Sequence, residues 1–416
     1  MLCLRVLLHI PLTRSYNWYA PVPAPAGLPG ECGMAKRINI DDVTPGMFLE
    51  DVLDARGRLL YTENTRISDA GQIDRLRQRG ITHVYINTDK GIDDAAREEA
   101  YYREIARARL IHDQTFATVR DTLTSARVGK SFSAKNVEQA AEEIVESIMR
   151  NPDALVSLCQ IKGHDEYTYE HSLHVGILVS SLAHEMEYPP DEILQVSIGG
   201  LLHDIGKMRV PEPILNKPGK YDGREFAVMK RHPEHGLAIV KEQKASLSDT
   251  ARAMIGQHHE RYNGSGYPVG LSGKRIHEAA LISGVADVYD ALTTDRVYRE
   301  AWTPQKALAT IFQGCDREYS RKIVERFTKH LGIYPVGSFV RLASGELGVV
   351  TRVNAGHIMA PEVIILFDKD GRRLTSPACV DLYQKQKESG EERFLVEISV
   401  DPKPYNVKVA DYISKG

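Results

Sequence analysis

A mainly α-helical fold is predicted, with a helical bundle at its centre, a small α+β unit before it and a β-rich extension after it. Two observations carry this. From residue 135 to about 330, apolar residues recur at i, i+3 and i+4 in one segment after another. From Tyr334 onward the period changes to two, and the segments are separated by Ser-Gly, Asn-Ala-Gly and Asp-Lys-Asp-Gly turns. A chain of 416 residues is long enough for several full cores. The divisions fall at 1–33 for an N-terminal extension, 34–95 for the α+β unit, 96–134 for a helical linker, 135–332 for the bundle and 333–416 for the β-rich segment.

Each element has its own signal. RINI, MFLEDVLD and RLLY alternate as strands, Ser68 is placed to cap the helix SDAGQIDRLRQRG, which ends near Gly80, and THVYIN follows as a strand. Residues 92–130 are rich in Ala, Arg and Glu, with Ile105, Leu110, Phe116, Val119 and Leu123 at helical spacing. They predict a long solvated connector, with a homodimeric coiled coil as the alternative, although the heptads are poor. The bundle helices are read in AAEEIVESIM, YEHSLHVGILVSSLAHEM, EILQVSIGGLLHDIGK, GREFAVMKRHPEHGLAIVKE, LSDTARAMIGQHHE and HEAALISGVADVYDALTT. GSFVRL, ELGVVTRV, EVIILFD and FLVEISV are the strands of the C-terminal extension.

Composition excludes several classes. With 53 basic and 56 acidic residues, nothing draws the chain globally to polymeric nucleic acid or to a membrane surface. No segment approaches the roughly 20 apolar residues of a transmembrane helix. Cys3, Cys32, Cys159, Cys315 and Cys379 are odd in number and form no CxxC pair, which points to a reducing, cytoplasmic setting and no thiolate zinc site. The first 33 residues imitate a signal peptide poorly: Arg5 and His9 interrupt the apolar run, and Glu31 stands directly before Cys32. Met34 opens a more natural protein start, so this segment is read as an upstream extension of the reading frame.

The chemistry is concentrated in the bundle, where ten of the fifteen histidines fall between His164 and His277. His171, the doublet His203-Asp204, His232, the doublet His258-His259 and Asp287 each lie on or at the end of a different helical segment, apart from the doublets themselves. A bundle core can converge such side chains on a pair of metals. Adjacent ligands point in different directions, which suits two neighbouring ions with a carboxylate between them. Imidazole and carboxylate without thiolate favour Fe, Mn, Zn, Ni or Co. Two such ions can clamp a phosphate and activate a water for in-line attack. His164, His174, His184, His235 and His277 are read as surface or packing residues.

These residues occur in YTYEHS, LLHDIGK, MKRHPEHG, HHERYNGSGYPVGL and ADVYDALTTDRVYR. In that order, over about residues 150–330, they resemble the HD-GYP family, the branch of the HD metal-dependent phosphohydrolases that degrades cyclic di-GMP. The resemblance implies an HD-type bundle and two divalent metals, Fe or Mn before Zn, Ni or Co. It implies His171, His203, Asp204 and Asp287 around one metal, and His232, His258 and His259 around the other, with Asp204 bridging. Lys207 neutralises phosphate charge beside the scissile bond, and Arg296 and Arg299 hold the distal phosphate. Gly264 and Gly266 supply tight bends, while Gly266, Tyr267 and Pro268 form a loop whose tyrosine stacks on guanine or shapes the pocket. Some relatives place a glutamate four residues before the first histidine, helping to bind a third metal; here that position is Tyr167, so a dinuclear site is expected. Asn263 stands where many relatives have aspartate, with little effect expected. INIDDVTPGMFLEDVLD and GITHVYINT resemble the small domain of unknown function that often precedes HD-GYP domains, which implies a regulatory unit with signalling partners.

The implied activity is hydrolysis of cyclic di-GMP to linear pGpG or onward to GMP, with Asp204 and Lys207 as the catalytic residues. A phosphohydrolase of another nucleotide such as cyclic GMP-AMP, and a non-catalytic cyclic di-GMP receptor, are the alternatives.

Overall fold

The computed structural model describes residues 35–45, 47–49, 51–53, 59–61, 65–67, 70–87, 94–159, 166–243, 245–295, 300–354, 357–390 and 394–413. The expected N-terminal extension, the Ser68 cap, and Arg296 and Arg299 lie outside them. The chain divides into two compact units, the larger beginning at Ile105.

The smaller unit holds β1 (Ala35–Asn39), β2 (Phe48–Leu49), β3 (Val52–Leu53), β4 (Leu59–Tyr61), β5 (Thr65–Arg66), α1 (Ala70–Gln78) and β6 (His83–Asn87). Its sheet runs β1-β6-β2-β5, and β3 pairs with β4. Leu49, Ile67, Leu76 and Val84 make its core. Gly80 ends α1 as the sequence suggests. It takes φ +77°, and the Ile81 N–H donates to the Leu76 carbonyl at 3.1 Å, the bond that closes a glycine-terminated helix.

The larger unit is the helical bundle. α2 (Asp94–Arg127), expected as a solvated connector, instead buries Ile105, Ile111, Val119 and Leu123 along one stripe, and is followed by α3 (Ala134–Arg150), capped by Ser133, and α4 (Pro152–Leu158). α5 (Tyr167–Glu185) is buried along every face from His171 to Ala183, so it is the central helix, and its near-continuous apolar sequence follows from that position. α6 (Pro190–Leu202) crosses it where Gly200 faces Gly176; a Cβ on Gly200 would stand 2.8 Å from the Gly176 Cα. α7 (Glu212–Leu215), α8 (Gly223–Met229) and α9 (His232–Glu242) follow, α10 (Asp249–Gln257) packs on α6, α11 (Glu278–Thr293) packs on α5, and α12 (Pro304–Gln313) and α13 (Arg321–Leu331) complete the bundle. Among the described residues, no helix is long and apolar enough to cross a membrane.

The β-rich extension is an antiparallel sheet of β7 (Phe339–Leu342), β8 (Leu347–Arg352), β9 (Glu362–Phe367), β10 (Arg373–Asp381) and β11 (Val396–Ser399), in the order β10-β9-β8-β7-β11. Gln305 of α12 is buried and accepts from the Ser399 N–H at 3.2 Å, tying sheet to bundle. β10 was not expected from the sequence. It is an edge strand with mostly exposed side chains, and its register shifts between Arg373 and Ala378, the interval that holds Pro377. Proline and polar residues are what an edge strand tolerates, and they erase the alternation by which strands are read. α14 (Leu382–Ser389) and α15 (Ala410–Ile413) close the chain.

Candidate metal centre

The helices deliver their polar side chains to one point in the bundle because glycine removes the side chains that would hold them apart. His203 terminates α6, and Asp204 leads into a 3-10 turn, Ile205–Arg209. Gly206 sits in that turn against α9, and a Cβ there would overlap the His232 carbonyl oxygen and the Gly236 nitrogen. Glycine in HDIGK therefore brings His232 up to the doublet. Gly284 does the same on α11, where a Cβ would stand 2.8 Å from the His258 carbonyl oxygen. His258 and His259 follow the last turn of α10, and His171 lies early on α5.

The seven residues expected as ligands converge in two groups: Asp204, His232, His258 and His259, and His171, His203 and Asp287. Asp204 faces both. Its Oδ2 lies 3.3 Å from His203 Nε2 and 3.6 Å from His171 Nε2, and its Oδ1 lies 3.4 Å from His232 Nε2 and 3.7 Å from His258 Nε2. Asp287 also spans them, 3.1 Å from His171 Nε2 through Oδ1 and 3.7 Å from His259 Nδ1 through Oδ2. Ligand atoms held about 2.1 Å from a shared ion stand roughly 3–3.5 Å from one another, close to these separations.

Protons confirm that the donors suit a cation. The Nδ1–H groups of His203, His232 and His258 donate to the backbone carbonyls of Gly200 (2.7 Å), Met229 (2.8 Å) and Met254 (3.0 Å). A carbonyl has no proton to give, so Nδ1 carries a hydrogen in each ring, and His232 and His258, which burial keeps neutral, turn an Nε2 lone pair inward. His232 Nε2 and His258 Nε2 stand 3.1 Å apart, lone pair against lone pair. Among the described residues, His203 Nε2 and Asp204 Oδ1 are buried with no hydrogen-bond partner. Such groups are costly unless a cation or its equivalent sits between them. Burial, the dominant cause, lowers His232 to about 3 and pushes His258 and His259 down as well. For Asp204, burial acts upward, but Lys207 and His203 outweigh it and hold the carboxylate well below its usual range. Asp287 is likewise held low, by His171 and His259 against burial.

Lys207 donates from Nζ to Asp204 Oδ2. The Gly-Tyr-Pro loop packs against the second doublet. A Cβ on Gly266 would overlap the Glu260–Arg261 backbone, and the Tyr267 N–H donates to the His259 carbonyl at 3.2 Å. The Tyr267 ring lies against His259, with centroids 4.7 Å apart. Glu260 fixes the far side of the loop. Only 3% exposed, it accepts from the N–H groups of Val269 (2.8 Å), Gly270 (3.0 Å) and Leu271 (2.8 Å).

Comparison with known proteins agrees with this geometry. Residues 153–323 match the model of the HD domain, residues 35–137 a domain of unknown function (DUF3391), and residues 339–388 a KOW domain associated with HD domain. The chain is 33% identical to a cyclic di-GMP phosphodiesterase of Pseudomonas aeruginosa, over 84% of this chain and 89% of that protein. It belongs to the HD-GYP family. A 3'3'-cGAMP-specific phosphodiesterase of Vibrio cholerae is 34% identical over 41% of this chain and 33% of its own length. A solved HDG"Y"P protein from Bdellovibrio bacteriovorus is 21% identical, covers 70% of this chain and 98% of its own, and superposes with a TM-score of 0.46.

Beyond the residues read as HD-GYP ligands, the structure adds a layer behind them. Asp290, 1% exposed, accepts from His171 Nδ1 at 2.7 Å and faces His174 Nδ1 at 3.2 Å. His174 therefore differs from the plain packing residue expected: it braces the carboxylate that orients a ligand. The i, i+3 spacing of Asp287 and Asp290 was the available signal. Glu260 was missed too, although a carboxylate directly after a ligand pair was a visible clue. Tyr167 takes the face expected of it, stacked on His171 with centroids 5.4 Å apart and planes 13° from parallel. Asp290→Asn is expected to weaken metal affinity about 10–100-fold, measured by competition with a chelator.

The metal-free HD-GYP centre also sets a pH dependence. Burial disfavours the His171 imidazolium, but Asp287 and Asp290 outweigh it and raise the group from 6.5 to about 9. Its stabilisation is present below 6.5 and is lost as pH rises through about 9. The depressed His232, His258 and His259 act oppositely, stabilising above 6.5 and losing that contribution as pH falls. Denaturant titrations of metal-free protein are therefore expected to show maximal stability near pH 6.5, and a monotonic profile across this range overturns the assignment. Metal binding competes with the His171 proton, so affinity rises over the upper window.

Proposed function

We propose that this protein is a metal-dependent phosphodiesterase that hydrolyses cyclic di-GMP, cleaving a P–O3′ bond to give linear pGpG. The observation that carries this is Asp204, whose two oxygens face two separate histidine groups beside Lys207 and the Gly-Tyr-Pro loop. Two divalent ions fit the donors, one held by His171, His203 and Asp287 and the other by His232, His258 and His259, with Asp204 shared. When bound, such ions supply Lewis-acid charge stabilisation and an activated water. Imidazole and carboxylate without thiolate accommodate Fe, Mn, Zn, Ni or Co, the family resemblance puts Fe and Mn first, and Tyr167 in place of a further carboxylate supports a count of two.

The chain's own residues do the rest. Asp204 stays ionised because Lys207 and His203 oppose the effect of burial. Lys207 is 20% exposed along its side chain, and Asp204 uses one of its three N–H donors, leaving others for a phosphoryl oxygen. Burial keeps His232, His258 and His259 neutral, whereas His171 gives up its proton when a metal binds. Tyr267 remains protonated, its phenol pushed far up by burial, so it meets a substrate as a neutral aromatic surface. Arg296 and Arg299 are assigned to the distal phosphate.

The named relatives include enzymes of both cyclic di-GMP and 3'3'-cGAMP, so hydrolysis of cyclic GMP-AMP is the second reading. The test is turnover by anaerobically prepared, Mn- or Fe-loaded protein of cyclic di-GMP, cyclic GMP-AMP and pGpG, with products separated by chromatography. Faster cleavage of cyclic di-GMP than of cyclic GMP-AMP supports the first reading. Tight binding without cleavage replaces it with a receptor.

A further inference from the structure

Phe226 is a large apolar side chain left 45% exposed, on a short helix whose inward position is taken by Met229. Its ring meets Tyr267 edge to face, with centroids 6.4 Å apart and planes at 82°. Tyr267 in turn covers His259, so aromatic surface runs without a break from the metal-ligand set to Phe226. Beyond it lies a cleft of about 440 Å³ walled by Phe226 with Gly219, Lys220, Tyr221, Asp222 and Gly223. A Cβ on Gly219 or Gly223 would meet nothing within 4 Å, so the cleft is open there. It is an open depression on the surface, shaped to meet one face of a flat ligand rather than to enclose it. Lys230 Nζ lies 5.2 Å from the Phe226 ring centroid, and Lys220 lines the cleft. Asp222 supplies a polar contact: its Oδ1 accepts from the N–H groups of Arg224 and Glu225 (2.8 and 2.9 Å), while Oδ2 accepts none among the described residues.

We infer that this cleft is a guanine subsite, in which Phe226 stacks on the base and Asp222 Oδ2 accepts from its Watson–Crick edge. The aromatic wall supplies a stacking surface that any base can use, so the choice of base falls to the carboxylate. Guanine presents N1–H and N2–H donors there, whereas adenine presents a lone pair at N1, which a carboxylate repels. The inference rests on the phosphodiesterase reading only for the position of the phosphates, which Lys207 places on the metal side of Tyr267.

Two measurements test it. Phe226→Ala should raise KM for cyclic di-GMP about tenfold with kcat within about twofold, and Phe226→Trp should restore KM. In the Phe226→Trp protein the added indole emission should be quenched by GMP, less by AMP, and not by ribose 5-phosphate. Adding Asp222→Asn, which preserves the cap, should bring GMP and AMP to similar quenching. Absence of quenching by GMP, or an unchanged KM in Phe226→Ala, overturns the subsite whatever the turnover. Base-selective quenching in a protein that cleaves no cyclic di-GMP supports the subsite and sinks the phosphodiesterase reading instead.

Discussion

Replacing His203 and Asp204 together with alanine is expected to remove cyclic di-GMP turnover by at least about 10³-fold, beyond the 10²–10³ typical of one electrostatic group. The pair contributes to both halves of the centre: His203 belongs to one donor group, and Asp204 offers an oxygen to each. Its loss also strands Lys207, whose Nζ is bonded to Asp204. The helical content should be unchanged, because the doublet follows the last turn of α6 and Leu201 and Leu202 keep that helix anchored. Circular dichroism, metal analysis and turnover on the same preparation check this together. Near-native rates with metal still bound would falsify the assignment of the centre.

Glu260→Ala is expected to separate the loop from the metals. Its carboxylate holds three consecutive N–H groups, from Val269 to Leu271, and hydrogen bonds to a charged acceptor contribute about 1.5–3 kcal/mol each. Without them the Gly-Tyr-Pro loop loses the bonds on its far side, while the Tyr267 N–H bond to His259 remains. A displacement on the order of 1 Å in a positioning element costs about 10² in rate. Turnover should therefore fall by about that factor while metal content stays native, which separates this variant from one that removes ligands. Glu260→Gln, which retains acceptor oxygen but places an amide N–H against the loop, should fall between. Loss of metal in Glu260→Ala would show instead that the carboxylate supports the ligands.

The metal centre was legible because its chemistry is written in short runs. HDIGK and HHERYNGSGYP carry ligands, the contact glycine Gly206 and the loop glycine Gly266 within a few positions of each other. The helices were legible by periodicity, including α5, whose apolar run marks a helix buried on all sides. What was hidden depended on partners distant in sequence. Asp290 and His174 act through one another across more than a hundred residues, and neither has a local pattern that distinguishes support from packing. Phe226 reads as an ordinary apolar position of a helix until its exposure and its contact with Tyr267 are seen. β10 escaped because an edge strand with Pro377 has no buried face to impose alternation.

The placement of Asp204 has a consequence for how the centre fills. Asp204 and Asp287 each face both donor groups, so under the proposed two-ion reading the occupancies would form a linked equilibrium rather than two separate ones. An ion in the first group draws on the charge that the second needs, while fixing the carboxylate orientation that the second also uses. Whatever factor the first ion applies to the affinity for the second, the second applies to the first. Titration with a single metal should thus depart from the curve of two independent sites, and a mixed-metal centre would hold a composition set by the pair.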